Sequence, residues 1–286
     1  MPNLAVINIA GTDQVVTNQV VINQAAAHII IIGGTSGLGL ALAVKHQQLG
    51  WQVTVVGHSA TKIAKINADY PNISTYRCDL TDCTQRQDLL AKLAKVRFER
   101  LIYSAGSYTN ERIHHLNQAD SEQMLAINLQ AFEAIFSWSS QQLKAQKQEG
   151  GDSSVASVKR SLISIASIAG TVDYPYASLY AKSKRAMIAT TSAYRCALAP
   201  FAIQVNCIAP GYIDTQALRD LNNDDASHKP FIISIDTAVT HIMQAIDNNV
   251  ELAVFPSSMR HIVQLLNRLP KPLLNRLLRS KLDKKP

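Results

Sequence analysis

Tyr180 and Lys184 stand four residues apart in LYAKSKRAM, a run of good helix formers. At that spacing two side chains share one helix face. A free phenol has a pKa of about 10 and is a poor acid–base group near neutrality. An ammonium held beside it favours the phenolate and draws the value towards the working range. Ser167 lies thirteen residues before Tyr180, at the end of the β-branched run SLISIA, so its hydroxyl is placed to hydrogen-bond a substrate carbonyl alongside the phenol. The chemistry is proton transfer to or from a substrate oxygen. Alone, the Y-x-x-x-K spacing more often marks a solvated helix pair, so its meaning depends on the elements that carry it.

A second stretch bears on chemistry. IIIIGGTSGLGLALA (29–43) reads as a strand buried on both faces, a glycine-rich bend and a helix stopping near Gly50. The unpaired N–H groups of a helix N-terminus favour an anion in such a bend. The spacing Gly33-x3-Gly37-x-Gly39 is not the common G-x-G-x-x-G, and both a phosphate cradle and a plain strand–helix turn fit it.

Five more short β-branched runs accompany IIII and SLISIA: 52–57, 74–78, 100–104, 203–209 and 252–256. Helix-length segments separate them, for example SEQMLAINLQAFEAIFSWSSQQL with Asp120 as its expected N-cap. Seven strands alternating with helices predict an α/β fold: one doubly wound, parallel, seven-stranded sheet of the Rossmann type, helices on both faces. Residues 28–256 form that domain. Residues 1–27 read as an N-terminal extension with a peripheral hairpin, 145–160 as a polar loop, and 257–286 as a basic, amphipathic helical tail.

At 286 residues, 47 % hydrophobic and 17 % charged, the chain has ample core for one domain. No apolar run spans a bilayer, the N-terminus lacks a secretory pattern, and Cys78, Cys83, Cys196 and Cys207 read as reduced thiols, so a cytoplasmic location is expected. The eight histidines include no H-E-x-x-H, and no metal site is expected. The net charge of +7 lies wholly in residues 260–286, which hold eight Lys or Arg and one acid; the remaining chain carries 20 of each sign. That excludes a nucleic-acid-binding body.

The motifs fall in one order: Gly33-x3-Gly37-x-Gly39, Asp79–Leu80, Ser104-Ala105-Gly106, Asn128, Ser167, Tyr180/Lys184 and Pro210–Gly211. In that order, over residues 28–256, the chain resembles the short-chain dehydrogenase/reductase family in its single-domain branch. The resemblance implies an NAD(P)-dependent oxidoreductase moving hydride between a nicotinamide and a carbonyl or secondary alcohol. Tyr180 is the implied acid/base, Lys184 lowers its pKa and holds the nicotinamide ribose, Ser167 orients the carbonyl, and Asn128 holds a water for proton return. IGGTSGLG matches the phosphate cradle (Gly33, Thr35, Ser36, Gly37, Leu38, Gly39), with Ile32 where threonine is usual. Asp79 and Leu80 match the adenine contacts; a plain helix N-cap in DLTD is the other reading of Asp79. Tyr103 and Ser104 replace two asparagines of the usual NNAG, while Ala105 and Gly106 stay small. Pro210, Gly211, Ile213 and Thr215 match the segment against the carboxamide.

A carboxylate ending the second strand would bind the ribose 2′-OH of NAD and repel a 2′-phosphate. Gly57 stands there, followed by His58, Ser59 and Lys62, which can receive a phosphate; Ser36 stands where a basic residue is common. NADP is therefore expected over NAD. The rivals are an NAD-dependent alcohol dehydrogenase working oxidatively and a cofactor-binding sensor without turnover. The substrate walls are expected from Ile168, Tyr174, Tyr176 and the segment Tyr212 to Pro230, with Leu218, Leu221 and Phe231 among its acids, favouring an apolar carbonyl or alcohol. The helices around 120–144 and 177–198 carry apolar residues on more than one face (Phe132, Ile135, Phe136, Trp138, Met187, Ile188, Tyr194); one face must cover the sheet, and the other resembles the family's four-helix seam, so a homodimer is expected. The tail, with leucines at helical spacing among cations, predicts either packing on the body or a peripheral contact with an anionic membrane.

Overall fold

The structure is a computed structural model describing residues 26–108, 117–149, 158–173 and 177–279. The expected N-terminal hairpin, most of the polar loop, Tyr174, Tyr176 and residues 280–286 lie outside the described residues. The elements run β1 (His28–Ile32), α1 (Gly37–Gln48), β2 (Gln52–Gly57), α2 (Ala60–Asp69), β3 (Ile73–Arg77), α3 (Cys83–Leu93), β4 (Arg100–Tyr103), α4 (Gln118–Leu125), a π-helical segment (Ala126–Ala131) and α5 (Phe132–Glu149). They continue through β5 (Ser161–Ile165), a 3-10 turn (Ile168–Thr171), α6 (Leu179–Leu198), β6 (Gln204–Pro210), α7 (Gln216–Asp220), α8 (Ile235–Asp247), β7 (Leu252–Phe255), α9 (Ser257–Arg268) and α10 (Lys271–Arg279).

The seven strands form one parallel sheet in the order β3-β2-β1-β4-β5-β6-β7, the doubly wound Rossmann arrangement expected from the sequence. The four isoleucines of β1 explain the layering. Successive side chains of a strand point to opposite faces. Ile30 and Ile32 enter a core with Leu101, Phe132 and Phe136, while Ile29 and Ile31 enter the other with Leu42, Val55 and Ile242. Each is fully buried and contributes about 2 kcal/mol relative to exposure. The chain reverses its winding beside β1, where β1 pairs with both β2 and β4. Ligands bind at the carboxyl edge beside such a switch point.

Two sequence expectations need correction here. Asp120 is not the N-cap: Asn117 is, its side-chain oxygen accepting from Ala119 N–H at 2.9 Å, and Asp120 lies in the first turn. The long helix is also broken by the π segment, which sequence periodicity does not register. One face of α5 and α6 covers the sheet. Phe132, Ile135, Phe136 and Met187 are buried, and Trp138 stacks on Phe98.

The opposite edge of the sheet holds a buried polar group with a consequence for stability. His46 donates from Nδ1 to the Leu42 carbonyl (2.7 Å), and its Nε2 accepts from Arg100 (2.9 Å). Arg100 also donates to Ser161 Oγ and lies over the Trp51 ring. Burial, with the adjacent guanidinium, holds the imidazole down at about 4 against an ordinary 6.5. A lowered folded value means that the unfolded chain binds more protons between these limits, so stability present above 6.5 drains away as pH falls towards 4. About 2 kcal/mol is expected to be gone by pH 5. Urea midpoints at pH 7.5 and pH 5 should show the loss in the wild type and a smaller one in His46→Gln. An unchanged slope in the variant would reassign the effect.

Candidate functional site

A cleft of about 1230 Å³ opens at the carboxyl edge of the sheet. The segments leaving the strands build its walls. After β1 the chain bends through Gly33 into α1, with Thr35, Ser36, Gly37, Leu38 and Gly39 along the cleft. Gly33 has φ 80° and passes so close to β4's continuation that a Cβ would lie 2.5 Å from the Ala105 nitrogen. A Cβ at Gly39 would run into the Gly33 carbonyl oxygen. The bend therefore presents bare backbone at the start of α1, where partial positive charge collects. A cradle of this shape fits a dinucleotide pyrophosphate.

After β2, Gly57 packs on the β-branched side chain of Thr35, which occupies the space of any Cβ at 57. His58 and Lys62 line the cleft beside it, and Lys62 Nζ donates to Ser36 Oγ at 3.3 Å. Ser59 does not line it. Its hydroxyl caps α2, accepting from Lys62 N–H at 3.4 Å. After β3, Asp79 and Leu80 line the cleft. The N-cap of α3 is Asp82, so Asp79 does not serve that role. Asp79 instead accepts from Thr81 N–H and hydroxyl, bonds that hold its carboxyl below the usual range.

After β4 come Ser104, Ala105 and Gly106. Tyr103, in place of an asparagine, is buried and donates to the Ile127 carbonyl in the π segment at 2.5 Å. Asn128, in the same segment, lies beneath the cleft and does not line it. Its Oδ1 accepts from Ser107 N–H (2.9 Å), and its Nδ2 donates to the Ser107 carbonyl (3.0 Å) and Ser183 Oγ (3.1 Å). Both ends of the amide are engaged with protein, so its side chain is a clamp joining the β4 loop to α6.

Ser167, Tyr180 and Lys184 meet at the centre, as expected. Ser167 comes after β5, and its hydroxyl bonds the Tyr180 phenol. Lys184 is buried one turn further along α6, donating to the Ile165 carbonyl at 3.1 Å, with Nζ 5.9 Å from the Tyr180 ring centre. Burial pushes the phenol above its ordinary value, opposed by the Ser167 bond, and brings the Lys184 ammonium down to about 8. The lowering of the phenol by Lys184 is therefore not what dominates here. The phenol stands protonated at neutral pH, ready to donate.

After β6, Pro210, Gly211, Ile213 and Thr215 close the cleft. Thr215 caps α7, and Asp214 pairs bidentately with Arg219 at 2.7 and 2.6 Å. A bridge between Ile213 and Ile233 ties the two ends of the intervening loop. Ile168, Leu218 and Leu221 line the cleft as expected, but Phe231 does not. The lining residues not foreseen individually include Tyr108, whose ring meets Tyr180 edge-on at 4.8 Å, Lys229, and Met259 of α9. An aromatic two residues beyond YSAG was a legible signal for Tyr108. Nothing in the sequence announces that α9 returns to the cleft. Among the described residues no group of three His, Cys, Asp or Glu is placed to hold a metal ion.

The family model for short chain dehydrogenase matches residues 27–226. The chain belongs to the short chain dehydrogenase family. It is similar to the 3-oxoacyl-(acyl-carrier-protein) reductase FabG of Rickettsia bellii, 26 % identical over 196 residues, 68 % of this chain and 76 % of that one. The NADP-dependent (R)-specific alcohol dehydrogenase of Lentilactobacillus kefiri is 27 % identical over 199 residues, 67 % of this chain and 75 % of its own. Among solved structures, a short-chain dehydrogenase from Sphingobium yanoikuyae in complex with NADPH superposes with a TM-score of 0.71 at 16 % identity, covering 85 % of this chain and 96 % of that one. For this short chain dehydrogenase, the seven-stranded parallel sheet is the family's architecture, and its class is oxidoreductase.

Proposed function

We propose that this chain is an NADPH-dependent carbonyl reductase with Tyr180 as general acid, the same residue being the base in the reverse direction. The observation that carries it is the convergence of Ser167, Tyr180 and Lys184 on one cleft whose other half is a bare-backbone phosphate cradle. The bend from Gly33 to Gly39 would hold the pyrophosphate, Asp79 and Leu80 the adenine, and Ile213 and Thr215 the carboxamide. The nicotinamide supplies or accepts the hydride when bound. Ser167 orients a carbonyl oxygen towards the phenol, which donates its proton as negative charge develops on that oxygen. The Lys184 ammonium, charged below about 8, offsets the phenolate left behind. Purified protein offered a panel of ketones and aldehydes should consume NADPH, followed at its absorbance band; no consumption with any member would sink the reading.

NADPH is favoured over NADH because β2 ends without a carboxylate while Lys62, Ser36 and His58 face the cleft there. A charge-assisted bond to a phosphate justifies a clear expectation. Lys62→Ala should weaken NADPH roughly tenfold and leave NADH nearly unaffected. Fluorescence titration of both nucleotides measures it, and equal effects on the two would remove Lys62 from phosphate recognition.

We further propose a cytoplasmic homodimer associating through α5 and α6, supported now only by the half-buried Trp138, Ile188 and Tyr194. Light scattering at micromolar protein should give twice the chain mass; a single-chain mass would refute it.

A further inference from the structure

The helix pair α9–α10 carries Arg260, Arg268, Lys271, Arg276 and Arg279 and no acidic residue. One side of the pair is docked. Leu274 is buried, and Asn267 donates to the Thr171 carbonyl at 2.9 Å. The other side is apolar and open: Ile262 is 47 % exposed, Leu265 64 %, Leu273 52 % and Leu277 45 %. Packing on the body therefore accounts for only part of the leucine pattern. The open face also adjoins the cleft. Met259, in the first turn of α9, lies against Gly211 and lines the cleft with Tyr212 and Leu221, both themselves exposed.

A second copy of this face would bring the same uncompensated cations against it, which disfavours self-association there. Anionic headgroups over an apolar layer complement both properties at once. No helix among the described residues is long and apolar enough to cross a membrane, so the contact lies in the interface plane. We propose that α9 and α10 seat on an anionic lipid bilayer, with Ile262, Leu265, Leu273 and Leu277 in the acyl boundary and the cations at the headgroups. The cleft, walled by Met259, Tyr212 and Leu221, then takes lipophilic carbonyl compounds from that bilayer. The substrate half of this inference rests on the carbonyl reduction proposed above; the docking half does not.

The test uses the full chain and Leu265→Glu/Leu273→Glu, both positions exposed and outside the cleft. Sedimentation with phosphatidylcholine vesicles, with and without phosphatidylserine, should show wild-type binding that needs the anionic lipid and weakens in high salt. The double variant should bind roughly tenfold or more weakly, with NADPH binding and melting temperature retained. No wild-type pelleting with anionic vesicles, or unchanged pelleting of the variant, overturns the docking. So does a halved mass of the variant in light scattering, which would mark an interface between copies. A long-chain ketone dissolved in the anionic vesicles should be reduced faster by the wild type than by the variant, with a short soluble ketone reduced equally; equal rates on both overturn the substrate half. Salt-sensitive pelleting with no ketone reduced by either protein would support the docking and sink only the reductase reading.

Discussion

Tyr180→Phe is expected to lower kcat by roughly two to four orders of magnitude, the range that a positioned acid–base group supplies. The substitution removes one oxygen and keeps the ring that meets Tyr108 edge-on at 4.8 Å. Nucleotide affinity and the fold should therefore persist. What is lost is the donor. Burial favours the protonated Tyr180 phenol, whereas the aliphatic hydroxyl of Ser167 alone is a far weaker acid. Single-turnover consumption of NADPH measures the chemical step directly. Equal rates for the two proteins would remove Tyr180 from the mechanism, whatever its position in the cleft.

Gly39→Ala is expected to abolish nucleotide binding and to cost ~3 kcal/mol or more of stability. The added carbon meets the Gly33 carbonyl oxygen and lies 3.1 Å from the Gly34 Cα, and both are backbone atoms of the bend itself. Neither can yield without prising α1 away from the end of β1. Gly50→Ala is the control. Gly50 has φ 82° but nothing within 4 Å of an added Cβ, so only the left-handed backbone is strained, at about 1 kcal/mol. Thermal melts with and without NADPH separate the two. The Gly50 variant should still be stabilised by nucleotide, and the Gly39 variant should not. A Gly39 variant that melts and binds like the wild type would remove the close approach as the reason for that glycine.

The strands were legible because a parallel sheet buried on both faces writes itself as short β-branched runs. Each of the seven was placed within a residue or so of its observed span; the inner strands are buried along nearly their whole length, and the partly exposed edge strand β3 was marked by its β-branched residues alone. Most of the site was legible for the same reason: the residues after each strand arrive together at one edge. What failed was local competition for polar atoms. Ser59 sits where a phosphate contact was expected, but its hydroxyl is taken by the first turn of α2. Asn128 is a buried helix amide that must be satisfied, and its side chain meets that demand through Ser107 and Ser183. The pairing depends on the π segment and on how the β4 loop folds over it, which no residue spacing encodes. The apolar positions of α5 and α6 did not by themselves say which face covers the sheet; Phe132, Phe136 and Met187 are the ones that the core buries.

The packing of Gly57 on Thr35 constrains how this lineage can change its coenzyme. A carboxylate that would select NAD cannot enter at 57 while a β-branched residue stands at 35, since Thr35 fills the space of its first carbon. Replacing Gly57 first produces a collision, and trimming Thr35 first loosens a buried contact in the cradle before anything is gained. The two positions therefore form an epistatic pair, in which the order of substitution decides whether an intermediate folds. On the NADPH preference proposed above, coenzyme choice rests on shape inside the cradle as well as on charge at its rim.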